Sequence, residues 1–252
     1  MKTVLILGGG ESGIGSALLA KTHAYDVFVS DMGKISSSNQ EILNKSLIKF
    51  EQESHNIAKT LKLDLIIKSP GISDESDIIK FFNSYSCKII SEIEFAYNYC
   101  KSDIICITGS NGKTTTATLT HKIISEADFT CSISGNIGNS FSSVCENEVD
   151  YSIVEISSFQ LDGIDSFKPH IAVLTAITPD HLDRYKNFDS YVESKFRITK
   201  NQTDKDYLIY DADCSIINNY IKSNKIKSRL LPYSLKKKVH MGAYYSKNEI
   251  NI

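Results

Sequence analysis

The sequence predicts an α/β protein in which a Rossmann-like parallel-sheet domain precedes a partial P-loop ATPase domain of α/β type. Short apolar runs alternate with amphipathic segments of helix length, which is the rhythm of β-α-β units with a parallel sheet. This series starts twice, at residues 3 and 104, and each start leads into a glycine-containing turn of the kind that opens a nucleotide site. We therefore expect domains at residues 1–100 and 101–252, with the boundary near residues 99–103.

The predicted strands are the apolar runs of the two series. They lie at residues 3–7, 26–30, 63–68 and 88–91, and then at 104–108, 130–134, 151–156, 171–175 and 207–210. The polar run at 36–40 indicates a surface connection. After residue 229 the chain passes through an apolar run and a lysine-rich turn to a strand-like ending, "NEINI".

Composition excludes several classes of protein. The 28 Lys and Arg residues nearly balance the 30 Asp and Glu residues, so no basic surplus indicates nucleic-acid binding. No apolar run approaches the roughly 20 residues that span a bilayer, and the start of the chain lacks a signal peptide, so we expect a cytoplasmic protein without membrane contact. The six cysteines contain no CxxC pair and are expected to be reduced, buried thiols.

The first glycine-rich turn has the spacing of a dinucleotide fingerprint. Gly8, Gly10 and Gly13 follow a predicted strand and precede a predicted helix, and Asp31 ends the next strand, where it could bond a ribose hydroxyl. A hydride-transferring NAD enzyme is one alternative on this evidence, and a purely structural strand-to-helix turn is another. The turn "KSPGIS" at residues 68–73 follows a further strand at the same edge of the sheet.

The second turn, "ITGSNGKTTT" at residues 107–116, predicts a phosphate-binding loop. It departs from the usual P-loop, because Ile107 stands where a glycine or alanine is common. A lysine is disfavoured at a helix amino terminus unless an anion lies in front of it. Lys113 and the Thr114 hydroxyl, which can ligate magnesium, therefore indicate a phosphate and magnesium site whose residues are Gly109, Ser110, Asn111, Gly112, Lys113, Thr114 and Thr115.

Acidic and amide side chains follow the neighbouring strands. Glu155 ends an apolar run and is expected to be the carboxylate that holds magnesium, as in a Walker B strand. Asn136 lies between two glycines, where it either contacts a ligand or merely belongs to a chain reversal. The run "PDHLDRY" places Asp180, His181, Asp183 and Arg184 after a further strand, as plausible metal or phosphate ligands.

Together, "GSNGKTTT", "SGNIGN", "EISSFQLDG", "TPDHLDRY" and "SKFRI" resemble the Mur ligases, the ATP-dependent amide-forming enzymes of peptidoglycan synthesis. The run "EISSFQL" at residues 155–161 is similar to the D-glutamate-adding members of that family (MurD type). The amino-terminal "GGGESGIG", "VSD" and "SPGI" are similar to their uridine-diphosphate domain. The resemblance covers essentially the whole chain, with its motifs in the same order.

The resemblance implies roles for individual residues. Lys113 is implied to contact the ATP phosphates, and two magnesium ions are implied, with Thr114, Glu155, His181 and Lys195 as metal ligands. Lys195 matches a lysine that carbon dioxide converts to a carbamate, and a carbamate is a carboxylate-like ligand between two cations. The implied catalytic residues are Lys113, Glu155, His181 and Lys195.

The implied substrates are UDP-N-acetylmuramoyl-L-alanine and D-glutamate, joined through an acyl phosphate. Asn136, Ser157 and Ser158 match positions near the muramoyl-alanine part, and Glu11, Ser12, Asp31 and Gly71 match positions around the uridine diphosphate. Met32 stands where other members carry a small hydroxyl residue, which places one uracil or phosphate contact in doubt.

Members of this family are longer than 252 residues, so we expect the carboxyl-terminal glutamate-binding domain to be absent from this chain. On that expectation, the chain alone binds the uridine nucleotide but ligates poorly, as a truncated, catalytically incomplete fragment. A shortened gene, a cut chain and a split enzyme whose second half is a separate chain are the alternatives.

Overall fold

The structure is a computed structural model that describes residues 1–85, 87–180 and 184–252. The chain forms two compact units. The first comprises residues 1–101, 138–147 and 163–165, and the second comprises residues 102–137, 148–162 and 166–252. Within the described residues, no helix is both long and apolar enough to cross a membrane.

The first unit contains a parallel sheet with helices between its strands. Its elements along residues 1–101 are β1 (Thr3–Leu7), α1 (Glu11–Thr22), β2 (Asp26–Ser30), α2 (Ser37–Lys45), β3 (Lys49–Glu51), a short 3-10 helix (Ala58–Thr60), β4 (Leu65–Lys68), α3 (Asp77–Asn83), β5 (Lys88–Ser91) and α4 (Glu92–Tyr97). The five strands of this described region are ordered β3-β2-β1-β4-β5. Strand order therefore reverses between β1 and β4, and crevices at such points are the usual ligand sites of doubly wound sheets.

The second unit contains a larger sheet. Its elements are β6 (Asp103–Thr108), α5 (Lys113–Glu126), β7 (Cys131–Gly135), β8 (Tyr151–Glu155), α7 (Ser158–Asp162), β9 (Ile171–Leu174), α8 (Phe188–Phe196), a 3-10 turn (Arg197–Thr199), β10 (Tyr207–Asp211), α9 (Ser215–Ser223), β11 (Arg229–Ser234), β12 (Ala243–Ser246) and β13 (Glu249–Asn251). The short helix α6 (Phe141–Val144) lies between β7 and β8 in sequence but belongs to the first unit. In the described part of this unit the strand order is β13-β12-β11-β10-β9-β6-β8-β7.

Each unit has a hydrophobic cluster that contains buried strand residues. In the first unit, Leu5, Leu7 and Ile66 are buried in one cluster with Phe28 and Phe82. In the second, buried strand residues pack with a small residue of α5 in a cluster of Ile105, Ile107, Ala117, Ile153 and Val173. Near-continuous apolar strands such as β6 are expected where helices cover both faces of a parallel sheet.

Two segments from the second half of the sequence are packed into the first unit, which the apolar pattern does not indicate. Both are held by acids at the start of α4. Glu92, which is 1% exposed, accepts the backbone N–H of Ser142 at 2.6 Å, and Glu94 accepts that of Asp165 at 2.8 Å. Burial raises the pKa of Glu92 to about 7, although the hydrogen bonds from Ser142 oppose the shift.

The α/β prediction is confirmed for both sheets, and eight of the nine predicted strands differ from the observed ones by no more than one residue at either end. The third predicted strand starts two residues too early, since β4 begins at Leu65. Within the described ranges, three strands were not predicted: β3, β11 and β12. The final β12 and β13 form an antiparallel hairpin, so the second sheet is mixed rather than wholly parallel. Its turn residues, Lys247 and Asn248, both have positive φ, as a tight two-residue hairpin requires.

The glycine-rich turn before α1 allows a direct stability test. A Cβ at Gly13 would lie 1.8 Å from the carbonyl oxygen of Gly8, whereas a Cβ at Gly10 would meet no atom within 4 Å. We expect Gly13→Ala to lower the free energy of unfolding by about 3 kcal/mol, because the backbone must shift. Gly10→Ala, the matched control, should lower it by less than about 1 kcal/mol through its weaker helix cap. Urea titration followed by circular dichroism measures both, and equal losses would contradict the close-packing argument.

Candidate active site

The loop between β6 and α5 is held in shape by the segment that follows β9. Gly109 has φ of 150°, and a Cβ there would lie 1.9 Å from Oγ1 of Thr175, so only glycine fits. The backbone N–H of Ser110 donates to the carbonyl of Ala176 at 2.7 Å, and the Ser110 hydroxyl donates to the carbonyl of Thr178 at 2.9 Å. The loop is therefore a preformed element of the second unit.

Lys113 is the first residue of α5 and reaches back over this loop. Its Nζ donates to the carbonyl oxygens of Gly109 and Ser110, at 2.9 and 3.0 Å. The first N–H groups of a helix have no intrahelical partner, so the start of α5 offers further donors beside the lysine. This part of the loop combines a positive charge with backbone donors, which is the chemistry that binds phosphate.

Glu155 is the centre of a three-residue cluster. Its side chain ends β8 and is buried, with 1% exposed. Thr114 Oγ1 donates to one carboxylate oxygen at 2.7 Å, and Asn136 Nδ2 donates to the other at 2.9 Å. The structure thus brings together three predicted site residues that lie 22 and 19 positions apart in sequence.

Lys195, on α8, lies against the same loop. It is 2% exposed, and its Nζ donates to the carbonyl of Gly109 at 2.9 Å and to Thr108 Oγ1 at 3.3 Å. Burial, reinforced by the charge of Lys113, lowers the pKa of Lys195 to about 7. The nearby carboxylates, among them Glu155, oppose this shift only in part. A buried lysine of this kind is partly a neutral amine at neutral pH.

The donor set of the cluster fits magnesium. The hydroxyl of Thr114 and the carboxylate of Glu155 are hard oxygen donors within hydrogen-bond distance of each other. Magnesium is commonly held by one or two protein oxygens together with phosphate oxygens and water. Among the described residues there is no group of three His, Cys, Asp or Glu side chains that could form an all-protein metal site. Lys195 fits magnesium only as a carbamate, because an ammonium has no lone pair and a neutral amine is a nitrogen donor, whereas magnesium prefers oxygen.

The other predicted residues of the second unit lie around α7. Ser157 forms a capping box with Gln160: its N–H and hydroxyl donate to Gln160 Oε1, and its hydroxyl accepts the Gln160 N–H. Ser158 is buried, with 1% exposed. The Arg184 guanidinium lies 3.9 Å from the ring centre of Phe159. The predicted ligand His181, like Asp183, lies outside the described residues.

The first unit has a cleft of about 500 Å³ at the carboxyl ends of β1, β2 and β4, where the strand order reverses. Two residues of the predicted fingerprint, Gly8 and Asp31, line the cleft, whereas Glu11, Ser12 and Gly71 are not among its described lining residues. Glu11 and Ser12 occupy the first turn of α1, and Gly71 is exposed in the turn after β4. Asp31 accepts the backbone N–H of Gly9 at 2.6 Å and that of Gly33 at 2.7 Å.

Sequence reasoning missed two sets of residues. In the second unit these are Thr108, Thr175 and Thr178, which hold the loop and Lys195; their positions at or just after strand ends were a signal that could have found them. In the first unit, the missed residues come from the segments after β3 and β4. They are Glu53, Ser54, His55, Asn56, Lys59, Ser76, Asp77 and Ile78. Met32, after β2, and Ile72, in the turn at residues 68–73, also line the cleft and had been singled out from the sequence.

Known families match both halves of the chain. Residues 107–252 match the family described as "Mur ligase middle domain", and residues 3–78 match the "MurD N-terminal domain". A UDP-N-acetylmuramoylalanine–D-glutamate ligase of Christiangramia forsetii is 47% identical over 251 residues, which are 99% of this chain and 56% of that protein. The ligase of the same name from Bacteroides thetaiotaomicron is 43% identical over 254 residues, 57% of its length. The chain thus spans a little over half the length of these relatives.

Solved structures share the fold. UDP-N-acetylmuramate:L-alanyl-gamma-D-glutamyl-meso-diaminopimelate ligase from Neisseria meningitides superimposes with a TM-score of 0.67 at 15% identity, over 96% of this chain and 83% of that one. UDP-N-acetylmuramate-alanine ligase from Thermotoga maritima gives 0.57 at 19% identity, over 94% and 53%. At these identities the likeness concerns the fold alone. Because the middle-domain match covers more than half of the residues and the amino-terminal match is of MurD type, the chain belongs to the Mur ligase family.

Proposed function

We propose that the chain provides the nucleotide-binding part of an ATP-dependent ligase that adds D-glutamate to UDP-N-acetylmuramoyl-L-alanine. The observation that carries this proposal is the cluster at the loop of the second unit. A lysine, a threonine hydroxyl, a buried carboxylate and a buried lysine with a lowered pKa converge on one phosphate-binding turn. The names of the relatives support the same reaction.

The reaction begins with phosphoryl transfer between two anions. The terminal carboxylate of the muramoyl-alanine substrate attacks the γ-phosphorus of ATP, the bond to ADP breaks, and an acyl phosphate forms. Both reactants are negative, so positive charge and donors must align them. Lys113 and the N–H groups at the start of α5 provide these around the phosphates. When bound, magnesium would add charge stabilisation at the phosphate oxygens, held by Thr114 and Glu155.

Acyl transfer completes the reaction. The neutral amine of D-glutamate attacks the acyl carbon, and inorganic phosphate leaves from the tetrahedral intermediate with the electrons of the broken C–O bond and takes up the proton that the amine nitrogen loses. Asn136 holds the Glu155 carboxylate from the side opposite Thr114 and keeps its amide oxygen for the substrate. In this proposal Asn136 is therefore a binding residue as well as a positioning residue for Glu155.

Lys195 supports the proposal because its side-chain amine can react with carbon dioxide to form the carbamate that the family resemblance implies. The neutral amine, not the ammonium, attacks carbon dioxide, and the carbamate forms with release of a proton. A pKa near 7 makes that amine available at neutral pH. Modification changes the charge of this side chain from positive to negative, so the repulsion between Lys195 and Lys113 becomes an attraction. The carbamate would then be a second carboxylate-like metal ligand beside Glu155.

The role of Lys113 can be tested in the full-length protein that contains this chain. We expect Lys113→Ala to reduce kcat by a factor of about 1,000, because charge compensation at the transferring phosphate is lost. The measurement is phosphate release that depends on both D-glutamate and UDP-N-acetylmuramoyl-L-alanine. Lys122→Ala is the matched control, since Lys122 is exposed on the same helix and pairs only with Glu126 at 3.8 Å among the described residues. Equal rates for the Lys113 variant and the control would refute the proposal.

The carbamate can be detected without measuring activity. In carbon-13-labelled bicarbonate, we expect a carbamate carbon resonance from the protein that Lys195→Arg abolishes and Lys222→Arg, an exposed control on α9, retains. The signal should grow as the pH rises from 6 to 8, because deprotonation of an amine with a pKa of about 7 generates the nucleophile. A spectrum unchanged by Lys195→Arg would show that this lysine is not the modified group.

A further inference from the structure

His55 belongs to a hydrogen-bonded chain beneath the cleft of the first unit. Its Nδ1 lies 2.6 Å from Oγ of Ser30, a fully buried residue at the end of β2. The Ser30 hydroxyl donates to Oε1 of Glu51 at 2.9 Å and approaches the carbonyl of Ser54 at 3.3 Å. Glu51 in turn accepts the backbone N–H groups of Ile57 and Ala58, which fixes the carboxylate in place.

This arrangement determines which nitrogen of His55 carries the proton. The Ser30 hydroxyl has a single proton, and both Glu51 and Ser54 receive it as acceptors. The third contact of Ser30 must then be one in which Oγ accepts, so Nδ1 of His55 is the donor. In the neutral ring, Nε2 is consequently an acceptor. Burial lowers the pKa of His55 below its ordinary value, although the charges of Glu51 and Asp31 oppose the shift, and this favours the neutral ring.

Nε2 is on the ring edge opposite Ser30, and His55 lines the cleft. Among the described residues, Nε2 has no hydrogen-bond partner. A second polar atom of the cleft also lacks a hydrogen-bond partner in the described structure: Oγ of Ser76 is buried and does not cap α3. The cleft thus presents one fixed acceptor and one adaptable hydroxyl.

The rest of the cleft suits a flat, uncharged ring. Met32 and Ile72 provide apolar walls, and Met32 is 68% exposed and so available to cover a ligand. The charged lining residues are three acids, Asp31, Glu53 and Asp77, against one lysine, Lys59. The resulting excess of negative charge disfavours a diphosphate inside the cleft and favours the uncharged base of a nucleotide.

We propose that His55 selects uracil by accepting the N3–H of the base at Nε2; this inference rests on the proposed function, in which the first unit binds a uridine diphosphate substrate. Uracil has one ring donor, N3–H, between two carbonyl oxygens. Cytosine has an acceptor at N3, so its lone pair would face that of Nε2. The Ser76 hydroxyl is the matching donor for a uracil carbonyl. His55 is thus a specificity-determining residue, and Ser30 with Glu51 positions its proton.

Isothermal titration of the 252-residue chain with three nucleotides tests this assignment. The probes are UDP, CDP and UDP methylated at N3 of the base. We expect UDP to bind at least about 10-fold more tightly than either analogue, because each analogue leaves a desolvated acceptor unpaired. The N3-methyl probe tests the contact in the unaltered protein and does not depend on the folding of a variant.

Three variants test whether His55 is the residue responsible for the preference for UDP over CDP. His55→Phe should bring the affinities for UDP and CDP to within about 3-fold of each other, since it keeps an aromatic ring but removes the acceptor. Ser30→Ala should also reduce discrimination, because Nδ1 loses the partner that fixes the tautomer while Nε2 remains. His240→Phe, at an exposed position of the second unit, should leave the preference for UDP unchanged.

The outcomes distinguish the proposal that the first unit binds a uridine nucleotide from the proposal that His55 selects the base. If the folded chain binds none of the three nucleotides, the uridine-nucleotide function of the first unit is wrong. If it binds UDP but binds the N3-methyl analogue equally well, the function stands and the role of His55 is refuted. Retention of the full UDP preference by His55→Phe, with a native circular dichroism spectrum, would also overturn it.

Discussion

Parallel strand pairing is the constraint on which both units depend. A parallel strand needs a crossover, usually a helix, before the next strand, so consecutive strands run the same way and their carboxyl ends meet at one edge. The loop at residues 109–112 and Asn136 directly follow strands of the second sheet, and Glu155 is the last residue of β8. The cleft of the first unit lies at the ends of β1, β2 and β4. Residues far apart in sequence are close in space for this reason.

Buried charge distinguishes the site of the second unit from an ordinary β-α turn. A carboxylate with 1% exposure and an amine with 2% exposure are costly to desolvate, and each is compensated differently. Glu155 receives a hydrogen bond at each oxygen, from Thr114 and from Asn136. Lys195 is compensated less completely: burial and the charge of Lys113 lower its pKa, and its hydrogen bonds to a carbonyl and a hydroxyl, together with the nearby carboxylates, offset this only in part.

The sequence predicted the regular elements well because apolar periodicity reports burial directly. Eight strands were placed to within one residue at each end, whereas β3 and β12 are short and only partly buried, so their apolar signal is weak. In the site of the second unit, Glu155 and Asn136 were predicted from their positions at strand ends and Lys113 and Thr114 from the start of a helix. Lys195 was identified only through the family resemblance, because a lysine on a charged helix is ordinarily solvated. Thr108 and Thr175 were missed, because a threonine in a strand is ordinarily a structural residue. In the cleft of the first unit, the fingerprint predicted the lining residues Gly8 and Asp31 but not those from the segments after β3 and β4.

The sequence by itself determined the fold class, the two glycine-containing turns and the family, because glycine spacing, the lysine at a helix start and the acid at a strand end are local patterns. Only the tertiary structure decided the pKa of Lys195, the tautomer of His55 and the packing of two segments into the first unit. The lowered pKa of Lys195 depends on burial beside Lys113, and the acceptor at Nε2 of His55 depends on Ser30 and Glu51. Packing of residues 138–147 and 163–165 into the first unit depends on Glu92 and Glu94. Burial, tautomer and long-range hydrogen bonds arise from side chains that the fold brings together, and no local pattern encodes them.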